Sequence, residues 1–216
     1  MMVKRIVVVD YGVGNLYSVQ RALEVSGAKE IVISSDPKII AQADGIVLPG
    51  VGSFAEGMQG LRDRGLVEPI ATYAHSGRPL LGICLGMQML ASFSEEFGHH
   101  EGISLIPGAV VAIPNVSTNG EMLKIPFIGW TEIIPSHNNA YERTVLASHC
   151  DSASVYLVHS YHVVPVNPDH LLACYCNGGH LVTAAIRSNN VTGLQFHPER
   201  SGQVGLKILS QFIKSI

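Results

Sequence analysis

The run Gly82-Ile83-Cys84-Leu85-Gly86 constrains this chain more than any other five residues. It follows the apolar stretch Pro79-Leu80-Leu81 and leads into Met87-Gln88-Met89-Leu90-Ala91, a helix-like run. The order is therefore strand, sharp turn carrying a cysteine, helix. Glycines two before and two after the cysteine leave room for a strained turn, as in the G-x-S-x-G elbow that presents a serine above a sheet. Such a turn lifts the Cys84 thiol above the sheet and aims it at the free N–H groups of the helix start. The chemistry it offers is acyl transfer to a thiolate, provided another part of the chain supplies a base.

The rest of the chain is of the right size and kind to carry that elbow. Its 216 residues suit one α/β domain spanning 1–216, and 47% hydrophobic content suits a buried, largely parallel sheet. A net charge of -3 gives no electrostatic case for nucleic acid or a membrane surface. No apolar run approaches the ~20 residues of a spanning helix. The opening Met1-Met2-Val3-Lys4-Arg5 runs straight into Ile6-Val7-Val8-Val9-Asp10, too short an apolar stretch for a signal sequence. A cytoplasmic location is the expectation. The four cysteines, Cys84, Cys150, Cys174 and Cys176, do not have the spacing of a disulfide framework. Cys174 and Cys176 fall on one face of a strand and read as small buried apolar side chains.

The first half alternates. Strand-like runs at Arg5–Asp10, Glu30–Ser34, Gly45–Leu48 and Pro79–Ile83 are separated by helix-like runs. After Asn15, the apolar positions 16, 19, 22 and 23 have a helical period, and Gly27 is placed to end that helix. Ser53-Phe54-Ala55-Glu56 has the form of a capping box, and a further helix is expected from Val67 to His75. Alternation of this length implies an open, mostly parallel sheet of flavodoxin-like form with helices on both faces. The second half carries short β-branched runs at Ala109–Pro114, Phe127–Ile133, Val145–Ala147, Ser154–His159, His162–Pro165, Leu171–Cys176, Leu181–Arg187 and Val191–Phe196. Asn177-Gly178-Gly179 and Asn189-Asn190 are hairpin-type turns, so antiparallel hairpins are expected here. Gln203–Ile216 closes the chain as an amphipathic helix with Val204, Ile208, Leu209, Phe212 and Ile216 on one face.

Among the ten histidines, His197 has the best context for a base. In Gly193-Leu194-Gln195-Phe196-His197-Pro198-Glu199 an apolar strand ends in histidine, proline stops the strand, and a carboxylate follows two positions on. His197 can take the thiol proton, and Glu199 can hold the far N–H of the ring and stabilise imidazolium. Leu48-Pro49-Gly50-Val51-Gly52-Ser53-Phe54 supplies a glycine-rich turn between strand and helix, whose N–H groups can face a developing oxyanion. It also reads as a plain strand-to-helix turn. Gly12-x-Gly14 lacks the third glycine of a dinucleotide loop. His159 and His162 sit three apart on a strand, which turns them to opposite faces, and His99-His100 lies in a polar loop, so no metal site is expected.

GICLGMQ together with QFHPER resembles the class I, or triad, glutamine amidotransferases. The opening DYGVGNLYSV, the PGVGSF loop and YLVHSY narrow the likeness to the glutaminase subunits of imidazole glycerol phosphate synthase, along essentially the whole chain. The resemblance implies hydrolysis of glutamine to glutamate and ammonia through a γ-glutamyl thioester on Cys84, with His197 as base then acid and Glu199 orienting it. It implies substrate or oxyanion contacts from Gly50, Val51, Gly52 and Leu85, and glutamine binding by Gln88, Ser160 and Tyr161. It implies no metal or organic cofactor. The implied partner is a (β/α)8-barrel cyclase, in a heterodimer, that receives the ammonia to make imidazole glycerol phosphate in histidine biosynthesis. Asn15, Trp130 and Arg200 match partner-facing positions, although Asn15 also reads as a helix N-cap, Trp130 as an ordinary strand aromatic and Arg200 as a solvated charge. Where that family usually has histidine, this chain has Phe127. Other readings of the same residues are a paralogous subunit feeding ammonia to another synthetase, such as one amidating a surface sugar, and a stand-alone γ-glutamyl cysteine hydrolase.

Overall fold

A computed structural model describes residues 3–147 and 153–216. Met1, Met2 and Cys150 lie outside the described residues. In chain order the first half runs β1 (Arg5–Val9), α1 (Leu16–Val25), β2 (Glu30–Ser34), α2 (Pro37–Ala41), β3 (Gly45–Leu48), α3 (Phe54–Asp63), α4 (Val67–His75), β4 (Leu80–Ile83), α5 (Leu85–Met89), β5 (Phe93–Ser94) and β6 (His100–Glu101). The second half runs β7 (Gly108–Ala112), β8 (Phe127–Pro135), β9 (Ala153–His159), β10 (Tyr161–Pro165), β11 (Leu171–Asn177), β12 (His180–Ser188), β13 (Val191–Leu194) and α6 (Gly202–Ser215), with 3-10 turns at Pro168–His170 and Pro198–Arg200.

One nine-stranded sheet crosses both halves in the order β2-β1-β3-β4-β13-β12-β11-β8-β9. It is parallel from β2 to β13 and antiparallel beyond. A smaller sheet, β10-β7-β5-β6, lies beside it. The parallel strands are buried on both faces, so their residues are apolar at successive positions. Ile6 and Val8 of β1 pack on one face with Leu23 of α1 and Ile208, Leu209 and Phe212 of α6. Val7 and Val9 pack on the other with Ile40 of α2, Met58 and Leu61 of α3 and Ile70 of α4.

Local signals place most of the boundaries. The Asn15 side chain accepts the Ser18 N–H at 3.4 Å, and α1 ends at Val25, capped by Ser26 and followed by Gly27 at φ +108°. Ser53 caps α3 and donates its hydroxyl to Glu56 Oε2 at 2.8 Å. Gly178 and Gly179, at φ +57° and +86°, turn β11 back into β12 in the positive-φ geometry that suits a twisted hairpin.

Several expectations are corrected. Val145–Ala147 is a series of turns rather than a strand. The Thr144 hydroxyl accepts the Leu146 N–H and donates to the Tyr141 carbonyl, so the backbone is satisfied locally while Val145 and Leu146 pack into the core. A three-residue apolar run carries no periodicity that separates these outcomes. Strand β13 stops at Leu194 instead of Phe196, and α5 occupies 85–89 rather than the Met87–Ala91 run. Cys174 is buried, but Cys176 at the hairpin end of β11 is exposed. Burial pushes the Cys174 thiol up to about 11. Helix α2 was not anticipated, although Asp36-Pro37 holds its signal: an Asp36 side chain accepting the Lys38 N–H at 2.8 Å and proline at the first turn.

Candidate active site

Strands β4 and β13 run side by side, with Ile83 opposite Leu194, and both deliver reactive groups at their carboxyl ends. Cys84 follows β4 at φ +55° and ψ −113°, a backbone conformation costly for any residue with a Cβ. Its N–H donates to the Leu194 carbonyl at 2.7 Å, which ties the turn to β13. The flanking glycines are sterically required. A Cβ on Gly86 would collide with the Leu48 carbonyl, and one on Gly82 would lie 2.8 Å from the Gly86 carbonyl oxygen. The elbow is therefore wedged against the end of β3, from which the Pro49–Ser53 loop departs.

His197 follows β13. Its backbone N–H donates to Tyr156 O at 3.0 Å, and its carbonyl accepts the Ser201 hydroxyl at 2.7 Å. The ring Nδ1 is 2.8 Å from Glu199 Oε1, and the two side chains are 5% and 2% exposed. Burial alone would lower the ring's pKa, but hydrogen bonds with Cys84 and Glu199 and their charges outweigh it and carry it up to about 10. Nδ1 is committed to Glu199, so Nε2 is the atom left for the Cys84 sulfur. The ring is thereby held toward its cationic form beside the thiol.

The cleft over Cys84 encloses about 280 Å³ and is lined by Val51, Gly52, Leu85, Gln88, Glu96, His159, Ser160, Tyr161 and His197, among others. Larger clefts of about 540 and 390 Å³ lie at the opposite end of the sheet around Arg143 and Arg187, away from the thiol. Gly50 is buried behind the loop rather than lining the cleft, and the Tyr11 hydroxyl donates to the neighbouring Pro49 carbonyl at 2.8 Å. Among the described residues, the N–H groups of Val51 and Gly52 have no hydrogen-bond partner, and Leu85 opens α5, where an N–H has none within the helix. All three residues line the cleft that holds the Cys84 sulfur.

Glu96 was not singled out by the sequence. Its Oε2 accepts the Phe54 N–H, the first of α3, at 2.6 Å, which brings a carboxylate to the cleft wall. Nothing in Ser94-Glu95-Glu96 distinguishes one glutamate from the other; the turn after β5 decides it. His159 is buried and neutral: burial lowers its pKa to about 4, its Nδ1 donates to Tyr161 O at 2.8 Å and its Nε2 faces the Tyr175 hydroxyl at 3.0 Å. His162 lies on the next strand, lowered to about 4 by burial and accepting the Thr183 N–H. Among the described residues no group of three or more His, Cys, Asp or Glu is placed to hold a metal ion, and no helix is long and apolar enough to cross a membrane.

The remaining expected positions sit around the His197 turn. Arg200 is exposed within it, and α1, capped by Asn15, packs against it. The Trp130 ring reaches to within about 4 Å of where a Cβ on Gly202 would lie. Trp130 and Ile128 are each 56% exposed on the outer face of β8. Phe127 faces inward, packing its ring on Tyr175 and His159.

The class I glutamine amidotransferase family matches residues 7–216. The chain belongs to this family. This amidotransferase is also 48% identical over 208 residues to imidazole glycerol phosphate synthase subunit HisH 1 of Legionella pneumophila (strain Paris), covering 96% of this chain and 97% of that one. The HisH subunit of Syntrophotalea carbinolica is 47% identical over 209 residues, covering 96% and 98%. The chain is thereby a member of the HisH group. The solved structure of PurLQS from Thermotoga maritima matches with a TM-score of 0.72 over 99% of each chain at 23% identity, a likeness of fold.

Proposed function

We propose that this amidotransferase is the glutaminase subunit of an imidazole glycerol phosphate synthase, with Cys84, His197 and Glu199 as its catalytic triad. The observation that carries the reading is a buried His197–Glu199 pair at 2.8 Å that shares one cleft with a cysteine held on a strained elbow.

Glutamine enters the cleft with its side-chain amide at Cys84. The Glu96 carboxylate is the acceptor suited to the α-ammonium group, and Gln88, Ser160 and Tyr161 line the path between. The thiolate attacks the amide carbon, and the oxygen, now negative, is met by N–H groups of Val51, Gly52 and Leu85. Gly50 serves by letting the loop pass close behind. His197 gives its proton to the amide nitrogen, the C–N bond breaks, and ammonia leaves. The γ-glutamyl group remains as a thioester on Cys84. His197 then takes a proton from water, the resulting hydroxide attacks the thioester carbonyl, and the C–S bond breaks to give glutamate and the thiolate. Glu199 holds the ring in one orientation and stabilises its cationic form throughout.

The ammonia is passed to a (β/α)8-barrel cyclase seated on the outer face of β8 and β9, with Asn15, Trp130 and Arg200 at the contact. The exposed, apolar Ile128 and Trp130 support that placement. A location in the cytoplasm goes with it. The test is glutamate release by the full chain, alone and with a cyclase subunit and the cyclase's ligand. Release is expected to be strong only with both, and abolished by Cys84→Ala. Fast release without any cyclase would instead identify a stand-alone hydrolase, and none under any condition would end the reading.

A further inference from the structure

Gln195 is 0% exposed at the end of an apolar strand, between Leu194 and Phe196. Burying an amide is unfavourable unless every polar atom is bonded. Its side chain meets that demand at the reacting centre: Nε2 lies 3.8 Å from Cys84 Sγ, within reach of an N–H···S contact, and Oε1 accepts from Gln88 Nε2 at 3.1 Å.

The direction of these bonds is fixed by one group that cannot donate, the Tyr161 carbonyl. It receives Gln88 Nε2 at 3.0 Å and His159 Nδ1 at 2.8 Å. Gln88 must therefore present its NH2 to that carbonyl, and the second hydrogen of the same NH2 points at Gln195. Gln195 must answer with its oxygen, which leaves its own NH2 for the sulfur. On the other side, His159 spends its ring proton on the carbonyl, so its Nε2 accepts from the Tyr175 hydroxyl at 3.0 Å. Donation converges on the Tyr161 carbonyl from His159 and Gln88, and from Gln88 it runs outward through Gln195 to Cys84; turning either amide round would set two donors or two acceptors face to face.

We propose that Gln195 is a catalytic residue that donates an N–H to the Cys84 thiolate, held in that orientation by Gln88 through the Tyr161 carbonyl. The proposal deepens the thioester reading above and rests on it. The sulfur then has two donors, His197 and Gln195. The second remains when His197 hands its proton to the departing ammonia, and it holds the sulfur when the C–S bond breaks. Charge-assisted bonds of this kind are the strong ones in a dry site. The other titratable groups around the sulfur among the described residues are Tyr11 from the turn after β1, Glu96, His159 and Tyr161 on the cleft wall, and the His197–Glu199 pair.

The test is alkylation of Cys84 by iodoacetamide as a function of pH in the full chain, which needs neither glutamine nor a partner. Gln195→Met keeps the volume and removes the donor. Gln195→Glu keeps the acceptor for Gln88 but places a carboxylate at the sulfur. The Met variant is expected to shift the alkylation midpoint upward by about one pH unit and, with the cyclase present, to lower kcat/KM for glutamine roughly 10–100-fold with little change in KM. The Glu variant is expected to alkylate more slowly still at neutral pH, because a like charge now faces the thiolate. Unchanged midpoints in folded variants overturn the proposal. So does failure of both variants to fold, checked by thermal melting, since the amide would then serve only the core. Altered alkylation in a protein that never releases glutamate would leave Gln195 as the thiol's donor and remove the glutaminase reading instead.

Discussion

The two halves of the sheet do different jobs in different ways. From β2 to β13 the strands are parallel, apolar on both faces and enclosed by helices, and Cys84 and His197 follow their carboxyl ends. From β12 to β9 they are antiparallel, and β8 alternates Phe127, Gly129 and Thr131 inward with Ile128, Trp130 and Glu132 outward. The enclosed half can hold a strained cysteine because nothing around it can relax. The open half exposes large apolar side chains within reach of the same turn that carries His197. Rigidity and accessibility are thus assigned to separate regions that meet at β13.

The largest effect that would break this division is a substitution at the wedge. Gly86→Val drives side-chain atoms into the Leu48 carbonyl, and is expected to yield a protein that does not fold or whose Cys84 no longer reacts, as read by melting and by thiol labelling. Glu199→Gln leaves the packing nearly unchanged but favours the wrong ring tautomer, so kcat is expected to fall by about 10³–10⁴-fold with folding intact. A contrast in pH response separates the regions next. His159, buried in the open half with a pKa lowered to about 4, contributes stability that is complete above pH 6.5 and is lost as pH falls toward 4. The contribution is on the order of 3 kcal/mol, and the acid limb of the melting curve should flatten in His159→Gln. His197 has the opposite sign: its raised pKa gives stability that is full below about 6.5 and is lost as pH rises toward about 10. Trp130→Ala is expected to weaken cyclase binding about 10–100-fold, by titration calorimetry, with no change in Cys84 alkylation of the free chain. The smallest effect is Ser53→Ala, which removes the α3 cap at a cost of about 1 kcal/mol in urea melts.

The same division explains what could be read from the residues. In the enclosed half the signals are local and redundant: β2 and β3 lie where their apolar runs place them, and Asn15 and Ser53 cap the helices they precede. The cysteine and histidine elbows were legible because glycine and proline leave few conformations at those points. In the open half, Val145–Ala147 misled because short apolar runs pack equally well from turns. Gln88 and the Ser160–Tyr161 pair came only from likeness to a family. Glu96 and Gln195 came from neither, since their roles depend on contacts between residues far apart in the chain, Phe54 with Glu96 and Cys84 with Gln195.

Strand β13 sits between β4 and β12, in the middle of the large sheet, yet it is made last. On the ribosome, β1 to β4 are complete more than 100 residues before their neighbour emerges. Until then β4 is a bare, apolar edge able to pair with other chains, a hazard for any strand left uncovered. The step that closes that edge is also the step that carries His197 and Glu199 to Cys84. A nascent chain is therefore chemically silent while it is prone to aggregate, and the two conditions end together.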